Sequence, residues 1–166
     1  MPTLDDDFKA QLSGKTLQVV SFALGSEEYG VDIAQVQEIN RMVAITRVPR
    51  APQFMEGVIN LRGQRIPIID LRERFGMVRS ERTKNTRIVV TEIGSKRLGM
   101  VVDSVSEVLR LPVEQIEDAP DLVAGGDTEY IRGVGKMGDR LIIVLDLGRV
   151  ISADEKAELQ KLDEAA

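Results

Sequence analysis

Residues 54–71 read FMEGVINLRGQRIPIIDL and residues 130–147 read YIRGVGKMGDRLIIVLDL, and the two stretches superpose without a gap. Gly57/Gly133, Val58/Val134, Ile66/Ile142, Asp70/Asp146 and Leu71/Leu147 are identical, and most other apolar positions stay apolar. A second ungapped match sets residues 19–39 on 88–108, where Val20/Val89, Gly25/Gly94, Ser26/Ser95, Gly30/Gly99, Val36/Val105 and Glu38/Glu107 agree. The spacers between the matched blocks, 40–53 and 109–129, differ in length, the second being longer. Two copies are too few for a solenoid, so the pattern is that of a duplicated domain.

Each copy carries short β-rich runs bounded by Gly, Pro, Asn or Ser. The first reads LQVVSFAL, a turn at GSEE, then YGVDI; later come GVINL, a turn at RGQ, and IPIIDL. The second reads RIVVTEI, a turn at GSK, then LGMVV; later come IRGVG, a turn at KMGD, and LIIVL. Several short strands at hairpin spacing in each copy favour small barrels over an open sheet. Helix is sparse. Asp70-Leu-Arg-Glu has capping-box character and stops at Gly76, and Ser152-Ala-Asp-Glu opens a C-terminal helix with Leu159 and Leu162 on one face. The polar stretch 76–86 marks the seam between the copies.

The repeat also settles RGVGKMGD (132–139), where Gly133, Gly135 and Gly138 spell GxGxxG. A dinucleotide loop needs a helix after the glycines to receive the pyrophosphate. Here the apolar run LIIVLDL follows, of strand length, and GVGKMG is the counterpart of GVINLR. The glycines therefore belong to a strand end and a hairpin turn.

Composition narrows the chemistry further. A chain of 166 residues, 43% apolar and 30% charged, has room for a substantial core, and its net charge of −5 argues against nucleic acid or anionic membrane as the main partner. There is no cysteine and no histidine. Disulfides, thiolate nucleophiles, imidazole bases and the commonest zinc ligands are thereby excluded. The acidic start MPTLDDDFKA lacks the features of a signal peptide, and no apolar run reaches the length of a membrane span, so a cytoplasmic protein is expected. No Walker loop, HExxH, GxSxG or EF-hand spacing occurs, and no cofactor or metal is expected.

Two constellations deserve weighing against this background. Asp70 and Asp146 are repeat mates, as the paired carboxylates of an aspartic protease would be, but neither is followed by a turn that would expose it. Asp70 is better placed as a helix N-cap. Arg72, Arg74, Arg79, Arg82, Lys84 and Arg87 stand against only Glu73 and Glu81, with Phe75 as the single interleaved aromatic. That composition reads as a solvated helix and linker rather than a nucleic-acid patch. What remains is binding: a rigid β scaffold without reactive groups.

At NLRGQRIPIIDLRERFG (60–76), preceded by EEYGVDIAQVQEI (27–39) and followed by LGMVVDSVSEVL (98–109), the chain resembles the CheW family of bacterial chemotaxis adaptors. The resemblance runs from about Lys15 to Ile151 and on through the C-terminal helix. It implies a mainly β fold of two tandem SH3-like five-stranded barrels packed over a shared apolar interface. In the chain these would be residues 15–84 and 85–151, closed by a helix over 152–166 and preceded by a flexible tail, 1–14, all one CheW-like domain.

The resemblance further implies a non-enzymatic scaffold joining the cytoplasmic tips of chemoreceptors to the histidine kinase CheA in signalling arrays at the membrane. Other CheW subunits are further partners. By position, a receptor groove between the barrels would comprise Ile33, Val36, Glu38, Asn60, Arg62, Gly99, Val105 and Val108. Arg62 is the sharpest of these, because an Arg in a Gly-containing turn is a poor core residue and a good donor fork for a carboxylate. The kinase, or another CheW-like subunit, would meet the segment around Glu117 to Leu122, in the longer spacer. The family often has a basic residue where this chain has Glu117, which bears on the charge pairing there. The alternative of the same fold is a CheW-like regulatory module of a CheA kinase or a CheV protein. Because the sequence starts at Met1 and has a capped helix near its end, the free-standing adaptor is the expectation.

Overall fold

The computed structural model describes residues 16–51, 55–78, 81–117 and 130–150. The first copy forms β1 (Thr16–Leu24), β2 (Glu27–Asp32), a 3-10 turn (Ile33–Gln35), β3 (Val36–Arg41), β4 (Met55–Leu61), β5 (Gln64–Asp70) and the single-turn helix α1 (Leu71–Arg74). The second forms β6 (Arg87–Ile93), β7 (Lys96–Val102), β8 (Ser104–Pro112), a 3-10 turn (Val113–Gln115), β9 (Ile116–Glu117), β10 (Ile131–Met137), β11 (Arg140–Leu145) and α2 (Leu147–Val150). The expected tail over 1–14 and helix over 152–166 lie outside the described residues.

The fold is mainly β and consists of two SH3-like units, each built on one sheet. One sheet has the order β8-β1-β2-β11-β10-β9 and the other β3-β6-β7-β5-β4. The boundary expected from the repeat, 15–84 against 85–151, is corrected by this order. Among the described residues, one unit comprises those up to Ala34 together with Ser106–Val150, and the other comprises Gln35–Val105. The opening hairpin of each copy thus belongs to the unit built from the rest of the other copy. The exchange is reciprocal: Ile68 pairs with Gly99 across the parallel β5–β7 contact, and their repeat mates Val144 and Gly30 pair across the parallel β11–β2 contact. A hairpin satisfies its internal ladder wherever it lies, so its second neighbour is a tertiary choice.

Alternation along the strands fills each interior. Leu17, Val19, Leu109, Leu111, Ile116, Ile142 and Val144 form one core, and Ile59, Ile66, Ile68, Ile88, Val90 and Val101 the other. Val19, Ile142 and Val144 are the repeat mates of Ile88, Ile66 and Ile68, so equivalent positions face equivalent interiors. After β3 the chain returns at Thr46 to bridge Val58 of β4 through two backbone bonds of 2.9 Å. That bridge joins the segment that follows β3 to β4.

The GxGxxG stretch is a hairpin, as its repeat partner implies. β10 ends at Met137, β11 begins at Arg140, and Gly138 takes φ 60° in the two-residue turn. Asp70 caps α1, its Oδ1 accepting the Arg72 N–H at 2.9 Å, and the Asp146 Oδ1 accepts the Gly148 N–H at 3.1 Å. The two aspartates belong to different units and each is tied to backbone, so they are caps. α1 closes with the Met77 N–H on the Arg72 carbonyl (2.7 Å) and Gly76, at φ 74°, on the Glu73 carbonyl (3.1 Å), a Schellman ending.

The basic run after Asp70 is more structural than a solvated helix and linker. Arg72 forks onto both oxygens of Asp103 (2.8 and 2.5 Å) and reaches the Val78 carbonyl at 2.9 Å. The hydrogen bond to Asp103 is the main cause of the raised Arg72 pKa. Arg82 bridges the nearly inaccessible Asp70 (3.0 Å) to Glu56. Burial pulls the Arg82 pKa down, and the hydrogen bonds and charges of Glu56 and Asp70 outweigh it, leaving the pKa raised. In the second copy the same link is direct: Arg132, the mate of Glu56, meets Asp146 at 3.7 Å.

Candidate functional site

The site grows from the β4–β5 hairpin. Its tip is Arg62-Gly63, with φ 52° and 82°, the paired left-handed conformations of a two-residue turn that follows sheet twist. The Asn60 side-chain oxygen accepts the Gly63 N–H at 3.0 Å and braces the tip. Gly63 suits this geometry, but Arg62 does not: a side chain in the left-handed region costs roughly 1–2 kcal/mol. The repeat mate of Arg62 is Gly138, at φ 60°, so the second copy carries the unstrained choice at the same place. A strained, exposed residue at the tip points to what its side chain does.

That side chain is 78% exposed, and its Nη2 donates to the Glu38 Oε2 at 2.8 Å. Glu38 sits on β3 beside a bulge, where the pairing with β6 passes from Val36↔Thr91 to Glu38↔Val90 and leaves Gln37 unmatched. Bulges re-aim side chains at binding sites. The Asn40 Nδ2 holds the other Glu38 oxygen at 3.0 Å. The hydrogen bonds from Asn40 and then Arg62 set the Glu38 carboxyl below the ordinary range; burial opposes them, and the charges of Arg62 and Arg97 add to them. The carboxylate therefore stays ionised and holds the guanidinium by one edge, leaving the rest of the fork to solvent.

Beside this pair opens a cavity of about 330 Å³ lined by Gln37, Glu38, Leu61, Arg62, Ile66, Val90 and Arg97. Apolar floor and charged rim suit a protein partner's side chain. Nothing in this arrangement resembles a nucleophile, a general base or a ligand set for a metal.

Of the receptor residues expected from sequence, Glu38, Asn60 and Arg62 come together here, Asn60 as brace and the others as a pair. Val36 and Val105 are half-buried members of the same unit. Gly99 is buried: a Cβ there would lie 2.4 Å from the Ile68 Cδ1 and 3.0 Å from the Ile88 Cγ2, so its smallness serves the core. Ile33 and Val108 are exposed, at 37% and 52%, and belong to the other unit. On the expected kinase surface, Glu117 lies exposed on β9 and pairs with Lys136 at 3.1 Å, while Leu122 lies outside the described residues.

Sequence reasoning missed Arg97, Gln37 and Leu61. Comparison of the repeat mates Arg97 and Glu28 would have signalled the first, since a reversal of charge at a duplicated position marks where the copies diverge. Ile39, 41% exposed, was missed too, although it is the repeat mate of Val108.

Comparison with known proteins bears on what this surface meets. The family model described as the CheW-like domain matches residues 18–155. The chain is 42% identical over 150 residues to the chemotaxis protein CheW of Klebsiella aerogenes, covering 89% of this chain and 90% of that protein. It is 32% identical to the chemotaxis protein CheW of Treponema pallidum, covering 91% of each. Among solved structures, the scaffolding protein TtCheW of Thermoanaerobacter tengcongensis superposes with a TM-score of 0.77 at 38% identity, covering 84% of this chain and 95% of that one.

Proposed function

The chain belongs to the CheW family of chemotaxis scaffold proteins, and from that premise we propose that it couples the cytoplasmic tips of chemoreceptors to the histidine kinase CheA without catalysing a reaction. Arg62 carries this reading: a strained, exposed guanidinium, gripped from one side by an ionised Glu38, is held ready for a partner. The receptor surface comprises Glu38 and Arg62, with Asn60 fixing the turn and Val36 and Val105 supplying apolar area. Gly99 contributes by letting β7 pack, and Ile33 and Val108, exposed on the other unit, are proposed as receptor contacts by their place in the family's motifs. The kinase, or another CheW subunit, meets the chain around Glu117 and Leu122. Among the described residues no helix is long and apolar enough to cross a membrane, in keeping with a cytoplasmic protein recruited to receptor arrays.

Titration of Arg62→Asp and Leu122→Glu against a receptor cytoplasmic hairpin and against the CheA regulatory domain tests the two surfaces. Loss of an anchoring interface Arg costs about 2 kcal/mol or more, so Arg62→Asp weakens the receptor by at least roughly 30-fold and spares the kinase. Leu122→Glu does the reverse. Arg62→Asp that lost the kinase and kept the receptor would interchange the surfaces, and loss of both partners by each folded variant would refute two separable sites.

A second reading, a regulatory module of CheA or a CheV protein, has one observation in its favour. The chain is 29% identical over 126 residues to the chemotaxis protein CheV3 of Helicobacter pylori, covering 40% of that protein. Activation of the kinase in an assembled array by this chain, added as a separate polypeptide, decides for the adaptor.

A further inference from the structure

The repeat provides an internal comparison for the cavity beside Arg62, because each of its charged positions has a counterpart in the other unit. Glu38 corresponds to Glu107, Gln64 to Arg140, Arg97 to Glu28 and Arg62 to Gly138. In the unit that contains β11, the corner is closed on itself. Arg140 donates to both oxygens of Glu28 (3.1 and 2.5 Å) and to Glu107 (3.0 Å), so two carboxylates absorb one guanidinium. Hydrogen bonds to Glu28 and then to Glu107 raise the Arg140 pKa.

In the unit that contains β5 the charges are exchanged. Gln64 replaces the cation and Arg97 replaces the acid; the Arg97 Nη1 donates to the neutral Gln64 amide oxygen. Among the described residues no carboxylate stands within ion-pair distance of Arg97. Glu92, opposite it on β6, instead accepts from the Gln37 amide. The cavity wall therefore has one carboxylate, Glu38, and two guanidiniums, Arg62 and Arg97, each with donors unused. Of two corners built on the same plan, one has surplus carboxylate and the other surplus guanidinium.

We propose that Arg97 completes, with Arg62, a two-guanidinium clasp for an acidic side chain of the partner protein, and that the exchange of charge between the repeats directs this partner to the β5 corner and away from its counterpart. An ionised Glu or Asp entering the cavity meets two forks able to take both its oxygens, while its stem lies on Leu61, Ile66 and Val90. At the other corner the same carboxylate meets Glu28 and Glu107, with the Arg140 guanidinium already held by both.

This rests on the receptor reading of the site, and the experiment separates the two. The full chain, as wild type, Arg97→Gln, Arg97→Glu, Arg97→Lys and Arg140→Gln, is titrated with a receptor cytoplasmic hairpin at low and high salt. Arg97 is exposed, so its variants melt within a few degrees of wild type. Charge-assisted hydrogen bonds set the expected scale: Arg97→Gln weakens the hairpin about 10-fold and Arg97→Glu about 100-fold. Arg97→Lys keeps part of the affinity, Arg140→Gln stays within about 2-fold of wild type, and high salt narrows the gap between wild type and Arg97→Glu. A Glu-to-Gln and Asp-to-Asn scan of the hairpin finds one acid whose loss adds nothing in the Arg97→Gln background. Wild-type affinity in Arg97→Glu overturns the clasp and leaves the receptor reading standing. Equal losses in Arg97→Gln and Arg140→Gln overturn the directing role of the charge exchange. No hairpin binding by the wild type overturns the receptor reading and the clasp with it.

Discussion

A fragment cut along the sequence repeat should not fold, whereas one cut along the structural unit should. Residues 15–84 constitute the first copy, yet they lack β6 and β7, the two strands that lie between β3 and β5 in the sheet order β3-β6-β7-β5-β4. What remains of that sheet is β3 without its ladder partner and the β4–β5 hairpin, and a lone hairpin is marginal in water. The missing strands carry Ile88, Val89, Val90, Leu98, Met100, Val101 and Val102, all at most 3% exposed in the intact chain. At about 1.5–3 kcal/mol for each buried side chain, their loss removes roughly 10–20 kcal/mol. A domain's whole stability is about 5–15 kcal/mol. Residues 35–105 retain all five strands, the Ile59–Ile66–Ile68–Ile88–Val90–Val101 core and the Arg82 and Arg72 ion pairs. Far-UV circular dichroism, urea titration and amide proton dispersion compare the fragments: 35–105 shows strand signal and a sigmoidal transition, and 15–84 shows neither. A cooperative transition in 15–84, with 35–105 disordered, would refute the reciprocal exchange of hairpins.

Other expectations are local. Arg82→Met removes the guanidinium that joins Asp70 to Glu56, and one-sided loss of a buried pair costs about 3–5 kcal/mol; a calorimetric Tm lowered by roughly 10 °C, and largely restored by adding Asp70→Asn and Glu56→Gln, is expected. Gly99→Ala drives a Cβ against Ile68 and Ile88, an overpacking worth about 1–3 kcal/mol, visible as a lower urea midpoint, and an unchanged midpoint would refute the close approach. Because the folded Glu38 pKa is depressed, its contribution is present above the unfolded value and is lost only as pH falls through the depressed one. A carbon-detected NMR titration of Glu38 should place its midpoint below that of an unpaired Glu side chain, and a midpoint at or above that reference would remove the basis for the Arg62 grip.

The sequence by itself determined the duplication, the hairpins and their turns, and the Asp70 cap with its glycine stop. These are local properties: alternation with period two, turn residues at fixed offsets, and side-chain types that are present or absent. Glu38, Asn60 and Arg62 were singled out through the family's motifs and are brought together by the fold, and the left-handed turn explains why an Arg there is conspicuous. The tertiary structure alone decided which hairpin joins which sheet. Both copies bear the same pattern, so either partition satisfies every hairpin and every alternation, and the choice lies in pairings between distant segments, β5 with β7 and β2 with β11. The charge balance of the two corners follows from the same choice. Arg97 faces Gln64, and Glu28 faces Arg140, only because the opening hairpins are exchanged; complementarity between charges is a property of distance in space, which the order of residues does not specify.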